Sequence, residues 1–303
     1  MKKFLSMILV VMMMLSLTAC AEAPVMKVAS PAGAPGLALA TLAVQNPENY
    51  TFVAAETISA EFASAQADFI VAPINAGAKL FKMGKSTYQL AAVVSWGNLF
   101  FASQKEGFKV EDMNGAKVVL FGENTINTSV VRYALEKNGI VPAEIEYLGS
   151  AANTQALLLS DAEAIVVTAE PALTASKMKN DKITAYAVND LYKAATGFDG
   201  YTQAGLFVKA ETAANQPEAV EAFLKLVEEA CLANAENIPA VAEAAVALEL
   251  LPNVKVATNA IPGCAVKYVN AWEAKEQVEQ TANVDLTQFG GAEPADAFYY
   301  GAK

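Results

Sequence analysis

The sequence predicts an α/β protein of two lobes joined by a hinge. Short apolar runs alternate with stretches of helical periodicity, which is typical of a mainly parallel sheet covered by helices. The alternation runs through one unit, restarts after the polar stretch 104–107 and resumes after residue 203. The chain's 303 residues are enough for two domains, each with its own core.

The first lobe is predicted from residues 25–103 together with 204–303. Its second part opens with a strand at 204–208 and a helix that begins at Pro217, where proline suits the first helical position. The other strands of this lobe are predicted at 25–29, 50–54, 69–72, 90–95 and 99–103, and the other helices at 37–40, 58–66, 75–83 and 241–250.

Residues 104–203 form the predicted second lobe, with the two crossing segments placed near Ser103 and Gln203. The order of strands and helices is similar to that of the first lobe. Strands are predicted at 117–121, 145–148, 164–168 and 183–187, and helices at 128–138, at 154–159 and after Pro171.

The composition argues against several classes of function. The chain contains no histidine, so it lacks the imidazole of Ser/His/Asp and Cys/His catalysis and of most zinc, copper and non-haem iron sites. We therefore expect no metal, no cofactor and no catalytic residue. The net charge of −11 and the single arginine, Arg132, disfavour nucleic acid as a partner. Cys231 and Cys264 could form a disulfide or remain buried thiols.

The N-terminus has the order of an export signal. Lys2 and Lys3 precede the apolar stretch 4–17, and two small residues come before Cys20. This order resembles the signal of bacterial lipoproteins, in which the cysteine receives a lipid and becomes the mature N-terminus. The resemblance implies a signal peptide at residues 1–19 and an extracytoplasmic protein anchored to the membrane by lipid on Cys20. An ordinary secretory signal is the alternative.

Four segments further along the chain carry a resemblance to a known family. They are the turn 30–36 after the first strand, the strand and proline at 67–73, the Asp-Met-Asn-Gly-Ala-Lys stretch at 112–117, and the helix at 215–224. In this order they resemble the extracytoplasmic solute-binding proteins of ABC importers, in the branch related to sulfonate, taurine and thiamine-precursor binding proteins. The resemblance covers nearly the whole mature chain.

The resemblance implies a type II periplasmic-binding-protein-like fold, in which two α/β lobes close over a ligand at the carboxyl ends of their strands. In the first lobe, the turn with Ser30 and Gly33 would offer free backbone N–H groups, unless it only joins strand to helix. Asn75 would contact ligand or cap its helix. Trp96 would stack on a planar solute, with Asn98 as donor and acceptor, although core packing explains Trp96 nearly as well.

In the second lobe, Thr125 and Asn127 are the preferred ligand-binding residues, because their loop joins a strand to a helix. Asn127 would otherwise only cap that helix. Glu170 stands at another strand end and would accept from a ligand N–H, although complementing a helix N-terminus is the favoured role. Asparagine-rich loops, a tryptophan and few cations favour a neutral or weakly anionic solute, which could be planar.

The resemblance thus implies a protein that binds a small organic solute outside the membrane, as a monomer, and delivers it to an ABC transporter permease without chemical change. Two other classes remain open. One is a lipid-anchored solute sensor. The other is a metal-free enzyme on the same fold, in which Glu123 or Glu170 would serve as the base.

Overall fold

Two β-sheets divide the chain into two lobes. The structure, a computed structural model, describes residues 25–301, so the signal segment and Cys20 lie outside it. The strands are β1 Val28–Pro31, β2 Tyr50–Val53, β3 Phe69–Pro73, β4 Tyr88–Ser95, β5 Leu99–Ser103, β6 Lys117–Phe121, β7 Glu144–Leu148, β8 Ile165–Ala169, β9 Thr184–Ala187, β10 Ala204–Lys209 and β11 Val266–Asn270.

The first sheet has six strands in the order β11-β4-β10-β3-β1-β2, and the second has five in the order β7-β6-β8-β5-β9. In the first sheet, β1 pairs parallel with β2 and β3, whereas β4, β10 and β11 run antiparallel to their neighbours. In the second sheet, β6 pairs parallel with β7 and β8, whereas β5 is antiparallel to β8 and β9. Each sheet is therefore mixed rather than mainly parallel. Strands β5 and β10, which arrive from the other lobe, enter their sheets in the opposite direction, and β11 adds an antiparallel edge to the first sheet.

The helices cover the faces of both sheets. They are α1 Ala40–Ala43, α2 Ser59–Ser64, α3 Ile74–Lys82, α4 Ile126–Lys137, α5 Ala151–Ser160, α6 Ala172–Lys177, α7 Val188–Thr196, α8 Ala210–Asn215, α9 Pro217–Glu236, α10 Ile238–Ala247, α11 Val254–Ala260 and α12 Lys275–Val284, with single turns of 3₁₀ helix at Ala34–Ala38, Pro47–Asn49, Val110–Met113, Ile261–Cys264, Leu286–Phe289 and Asp296–Phe298.

The chain passes between the lobes at residues 96–98, between β4 in the first sheet and β5 in the second. The first crossing predicted near Ser103 is therefore wrong, since β5 belongs to the second lobe. Two apolar strands separated by three residues look like sheet neighbours in sequence, and hydrophobic periodicity does not say which sheet a strand joins. The chain returns through residues 197–203 to β10.

The C-terminal segment forms a further link between the lobes. Helix α12 packs on α4 of the second lobe, while the turn Leu286–Phe289 packs on α3 of the first. The Thr281 hydroxyl accepts from the backbone N–H of Thr202 at 3.1 Å, and Ser129 donates to Asp285 at 2.8 Å. Strand β11, which hydrophobic periodicity did not reveal, adds this segment to the edge of the first sheet.

The largest hydrophobic cluster runs continuously through both lobes. Its fully buried aromatic residues include Tyr192 and Tyr201 beside the return crossing and Phe298 from the C-terminal segment. Each such side chain contributes roughly 1.5–3 kcal/mol of burial free energy, so this core stabilises the two lobes together. Cys231 and Cys264 are both buried and unpaired. Within residues 25–301, no helix combines the length and apolarity needed to cross a membrane.

Candidate functional site

A cavity of about 330 Å³ lies between the two lobes and is lined by residues of both. Its volume is at the lower end of the range for small-molecule sites. The turn after β1 and the start of α3 form one wall, and the start of α4 forms the other. The lining residues are Pro31, Ala32, Pro35, Ala55, Ala72, Pro73, Asn75, Ala76, Asn124, Thr125, Ile126, Asn127, Gln203, Ala204 and Gln288.

Two helix starts meet at this cavity. Asn75 belongs to the first turn of α3, and Asn127 to that of α4. The first N–H groups of a helix have no partner within it, and the helix dipole gives this end a partial positive charge. The cavity therefore presents backbone donors to electron-rich atoms of a ligand.

The first-lobe turn positions the wall through Ser30 and Gly33, neither of which lines the cavity. Ser30 is buried, and its hydroxyl donates to the carbonyl oxygen of Pro31 at 3.0 Å. Gly33 has φ +85°, a left-handed value that favours glycine, and this bend directs the chain from β1 into the 3₁₀ helix. In this turn, Pro31, Ala32 and Pro35 are the residues that reach the cavity.

Asn75 lines the cavity from the first turn of α3. It does not cap this helix, because the cap position belongs to Pro73 and carries no side-chain hydrogen bond. The Oδ1 atom of Asn75 is buried and accepts no hydrogen bond from any described residue. A buried carboxamide oxygen without a partner is costly, so a donor on a bound ligand would stabilise it.

Thr125 and Asn127 line the second-lobe wall, and their side chains make different hydrogen bonds. Thr125 is the cap of α4, since its hydroxyl accepts from the backbone N–H of Thr128 and donates to the carbonyl of Gly122 at 2.8 Å. Asn127 does not cap the helix. Its Oδ1 instead accepts from the Tyr201 hydroxyl at 3.1 Å and from Gln203 Nε2 at 3.5 Å.

Gln203 connects both lobes behind the cavity. Its backbone carbonyl accepts from the N–H of Ile74 at 3.2 Å, and its backbone N–H donates to Ser95 at 3.0 Å. Its side-chain amide donates to Oδ1 of Asn98 at 3.1 Å, while its Oε1 accepts from the Ser95 hydroxyl at 3.2 Å. These bonds hold the return crossing against the first crossing and orient the Asn127 carboxamide.

Trp96 and Asn98 lie on the first crossing and do not line this cavity. Trp96 lines a separate cavity of about 330 Å³ beside β11, and its indole Nε1 donates to the carbonyl of Lys267 at 2.8 Å. Asn98 is 7% exposed and donates to the carbonyl of Glu170 at 3.2 Å. The side chains of a crossing segment can face either side of the hinge, and periodicity does not distinguish the two sides.

Glu170 also lies outside the cavity wall and serves the start of α6, as the favoured interpretation predicted. Its carboxylate accepts from the backbone N–H of Thr174 at 3.1 Å and from the Thr174 hydroxyl at 2.9 Å. Burial raises the pKa of this carboxyl, and the two bonds from Thr174 oppose that shift. A Cβ added at Gly263 of the first lobe would lie 3.0 Å from Glu170 Oε1, so the lobes are in close contact here.

Two polar wall residues were absent from the predicted site. Gln203 was assigned only to a crossing segment. Gln288 comes from the C-terminal segment and donates to the carbonyl of Asn124 at 3.0 Å, which joins that segment to the second-lobe wall. No local pattern marks such a residue, because it reaches the cavity only through tertiary packing.

Two α/β lobes with a shared cavity and crossing strands define the periplasmic binding protein fold. Solved structures with this architecture resemble the chain over most of its length. A protein of an ABC transporter from Parabacteroides distasonis has a TM-score of 0.79 at 20% identity, covering 92% of this chain and 100% of its own. The periplasmic aliphatic sulphonate binding protein of Escherichia coli has a TM-score of 0.70 at 16% identity, covering 92% of each chain.

A Candida albicans protein described as having the generic periplasmic binding protein structural fold has a TM-score of 0.54 at 12% identity, covering 91% of this chain and 93% of its own. The NMT1/THI5-like family model matches residues 36–239, which is more than half of the chain. The chain therefore belongs to the NMT1/THI5-like family. No curated protein gives a significant match to the sequence.

Proposed function

We propose that this protein binds a small organic solute between its lobes and delivers it to the permease of an ABC importer. The observation that carries the proposal is the cavity whose walls come from both lobes. A ligand held by both walls makes more contacts when the lobes close, so binding favours the closed form. The permease can then distinguish the closed, ligand-bound protein from the open, ligand-free one.

The comparisons support this proposal. The Parabacteroides protein is described as an ABC transporter, and the Escherichia coli protein as a periplasmic binding protein for aliphatic sulphonates. Identities of 20% and 16% are too low to transfer a solute from either protein to this chain.

The cavity chemistry disfavours the enzyme alternative. None of the described lining residues is an acid, a base or a cysteine. Glu170 bonds to Thr174 outside the wall, and Glu123 precedes the lining segment without joining it. Within residues 25–301, no cluster of His, Cys, Asp and Glu side chains is suited to a metal ion. We therefore propose that the solute leaves unchanged.

The location belongs to the same proposal. We propose that residues 1–19 direct export, that lipid on Cys20 anchors the mature protein to the outer face of the membrane, and that the protein works as a monomer. The order of charges, apolar residues and small residues before Cys20 supports the anchor. A lipid-anchored sensor would need the same anchor and cavity, so neighbouring permease genes rather than receptor genes would favour import.

A ligand screen tests the proposal directly. Sulfonates, pyrimidines, flavins and small carboxylates would be added to the mature protein, because a ligand of the folded state raises its unfolding temperature. The leading compound would then be titrated calorimetrically into the wild type, Asn75→Ala and the control Asn153→Ala. Asn153 is exposed in the first turn of α5, away from the cavity.

Asn75→Ala should weaken binding about five-fold to a hundred-fold, which corresponds to one lost hydrogen bond to a buried ligand. Asn153→Ala should bind like the wild type. Equal affinities for all three proteins would place the solute outside the interlobe cavity and contradict the proposed site.

A further inference from the structure

The wall of the interlobe cavity has an unusual charge balance for a polar site. Among the described residues that line it, none carries a formal charge, and the polar side chains are five carboxamides and the hydroxyl of Thr125. The remaining lining residues are proline, alanine and isoleucine. The whole chain is also acidic, with 32 Asp and Glu against 21 Lys and Arg. An anionic solute would therefore meet no counter-charge in the wall and a repulsive field around it.

Burying an anion in such a cavity would be unfavourable. A charged group leaving water needs a paired charge or several strong hydrogen bonds to recover its hydration energy. The starts of α3 and α4 offer partial positive charge from backbone N–H groups, which is weaker than a lysine or arginine partner. These donors suit the carbonyl oxygen or ring nitrogen of an uncharged compound.

The carboxamide side chains require both donors and acceptors from the solute. Asn75 Oδ1 is buried and has no partner among residues 25–301, so it calls for an N–H or O–H on the ligand. The Oδ1 atom of Asn127 is already occupied by Tyr201 and Gln203, which leaves its amide nitrogen as the group able to donate to a ligand.

The volume limits the size of the solute. A cavity of about 330 Å³ lies at the lower end of the range for small-molecule sites, so it suits a compact solute. Pro31, Pro35 and Ile126 provide apolar surface beside the polar groups, which suits a solute with an apolar framework.

We propose that the solute is a small compound that is uncharged at neutral pH and carries both a donor and an acceptor, as in a ring carboxamide, a lactam or an amino-substituted heterocycle. This inference rests on the proposed function and makes it more specific. It differs from the sulphonate named for the Escherichia coli protein, which is an anion.

Pairs of probe compounds that share a shape but differ in charge test this inference. Nicotinamide would be compared with nicotinate, and benzenesulfonamide with benzenesulfonate, by thermal shift and calorimetry on the wild-type mature protein at pH 7. The two members of each pair have nearly the same size, and only one is charged. We expect the uncharged member to bind at least ten-fold more tightly than its anionic counterpart.

Asn75→Asp adds a second, independent readout. A carboxylate is favourable in the first turn of α3, so the variant should fold, and it places a negative charge in the wall. An uncharged solute that donates to this position should keep its affinity within about three-fold, whereas an anion should lose on the order of a hundred-fold or more. Asn153→Asp makes the same change in the first turn of α5 and should leave binding unchanged.

Tighter binding of the anionic members, with loss of that binding in Asn75→Asp, would overturn the uncharged class and leave the proposed function intact. If none of these four probes binds, the solute found in the broad screen provides the test. An anionic solute there would overturn the uncharged class, and an uncharged one would support it. A broad screen without any ligand would instead contradict the proposed function and this inference together.

Discussion

Asn127 both lines the cavity and accepts a hydrogen bond from Tyr201, so its contribution to folding can be measured separately from its contribution to ligand binding. The Tyr201 side chain is fully buried, and its hydroxyl donates to Asn127 Oδ1 at 3.1 Å. Burial raises the pKa of this phenol, so it remains a protonated donor throughout the neutral range. Asn127→Ala removes the acceptor and leaves the hydroxyl unpaired in the core. We expect a loss of about 1–3 kcal/mol in the free energy of unfolding.

Tyr201→Phe removes the donor instead and should cost about 0.5–1.5 kcal/mol, the net contribution of one hydrogen bond. In the double variant neither group is left unpaired, so its loss of stability should be smaller than the sum of the two single losses by at least about 0.5 kcal/mol. Urea unfolding of the four proteins measures these differences through the midpoint and slope of each transition. Tyr201→Phe should also bind the solute like the wild type, because Tyr201 does not line the cavity.

Additive losses of stability, within about 0.3–0.5 kcal/mol, would show instead that the two side chains do not interact in the folded protein. Full solute affinity in Asn127→Ala would in turn remove its carboxamide from the site and leave the backbone groups of α4 as the second-lobe contacts.

Three further changes test other parts of the molecule. Burial raises the pKa of Glu170, so the folded protein binds more protons than the unfolded chain just above the ordinary carboxyl pKa, and stability should fall as pH rises through that window. Glu170→Gln should remove this dependence in unfolding curves from pH 4 to 8, and an unchanged slope would contradict it. Gly97→Ala should cost about 2–4 kcal/mol, because Gly97 has φ +82° and an added Cβ would overlap the Tyr201 ring and lie 2.7 Å from Asn189 Oδ1. Gly107→Ala, with φ +68° and open space, should show only the backbone part of that cost. Cys20→Ser should release the protein from the membrane or leave it unprocessed, and a variant that stays anchored with unchanged mature mass would disprove lipidation.

Much of the fold was predictable because its information is local. Apolar periodicity and turn residues predicted strands close to β3, β6, β8 and β10, and helices close to α3, α4 and α9. Periodicity reports that a segment has a buried face, but it does not identify the surface that buries it. For that reason β5 was placed in the wrong lobe, and β11, with a half-exposed pattern, was not predicted.

The candidate site divides in the same way. Local patterns in the chain predicted that strands and helices alternate through two lobes and that Asn75, Thr125 and Asn127 lie near helix starts after strands, and the composition showed that the chain has no histidine. That these three residues line one cavity while Trp96 lines another follows from long-range packing. A local pattern indicates where a strand ends and a helix begins, whereas the contacts between the two lobes and the C-terminal segment determine which side chains meet.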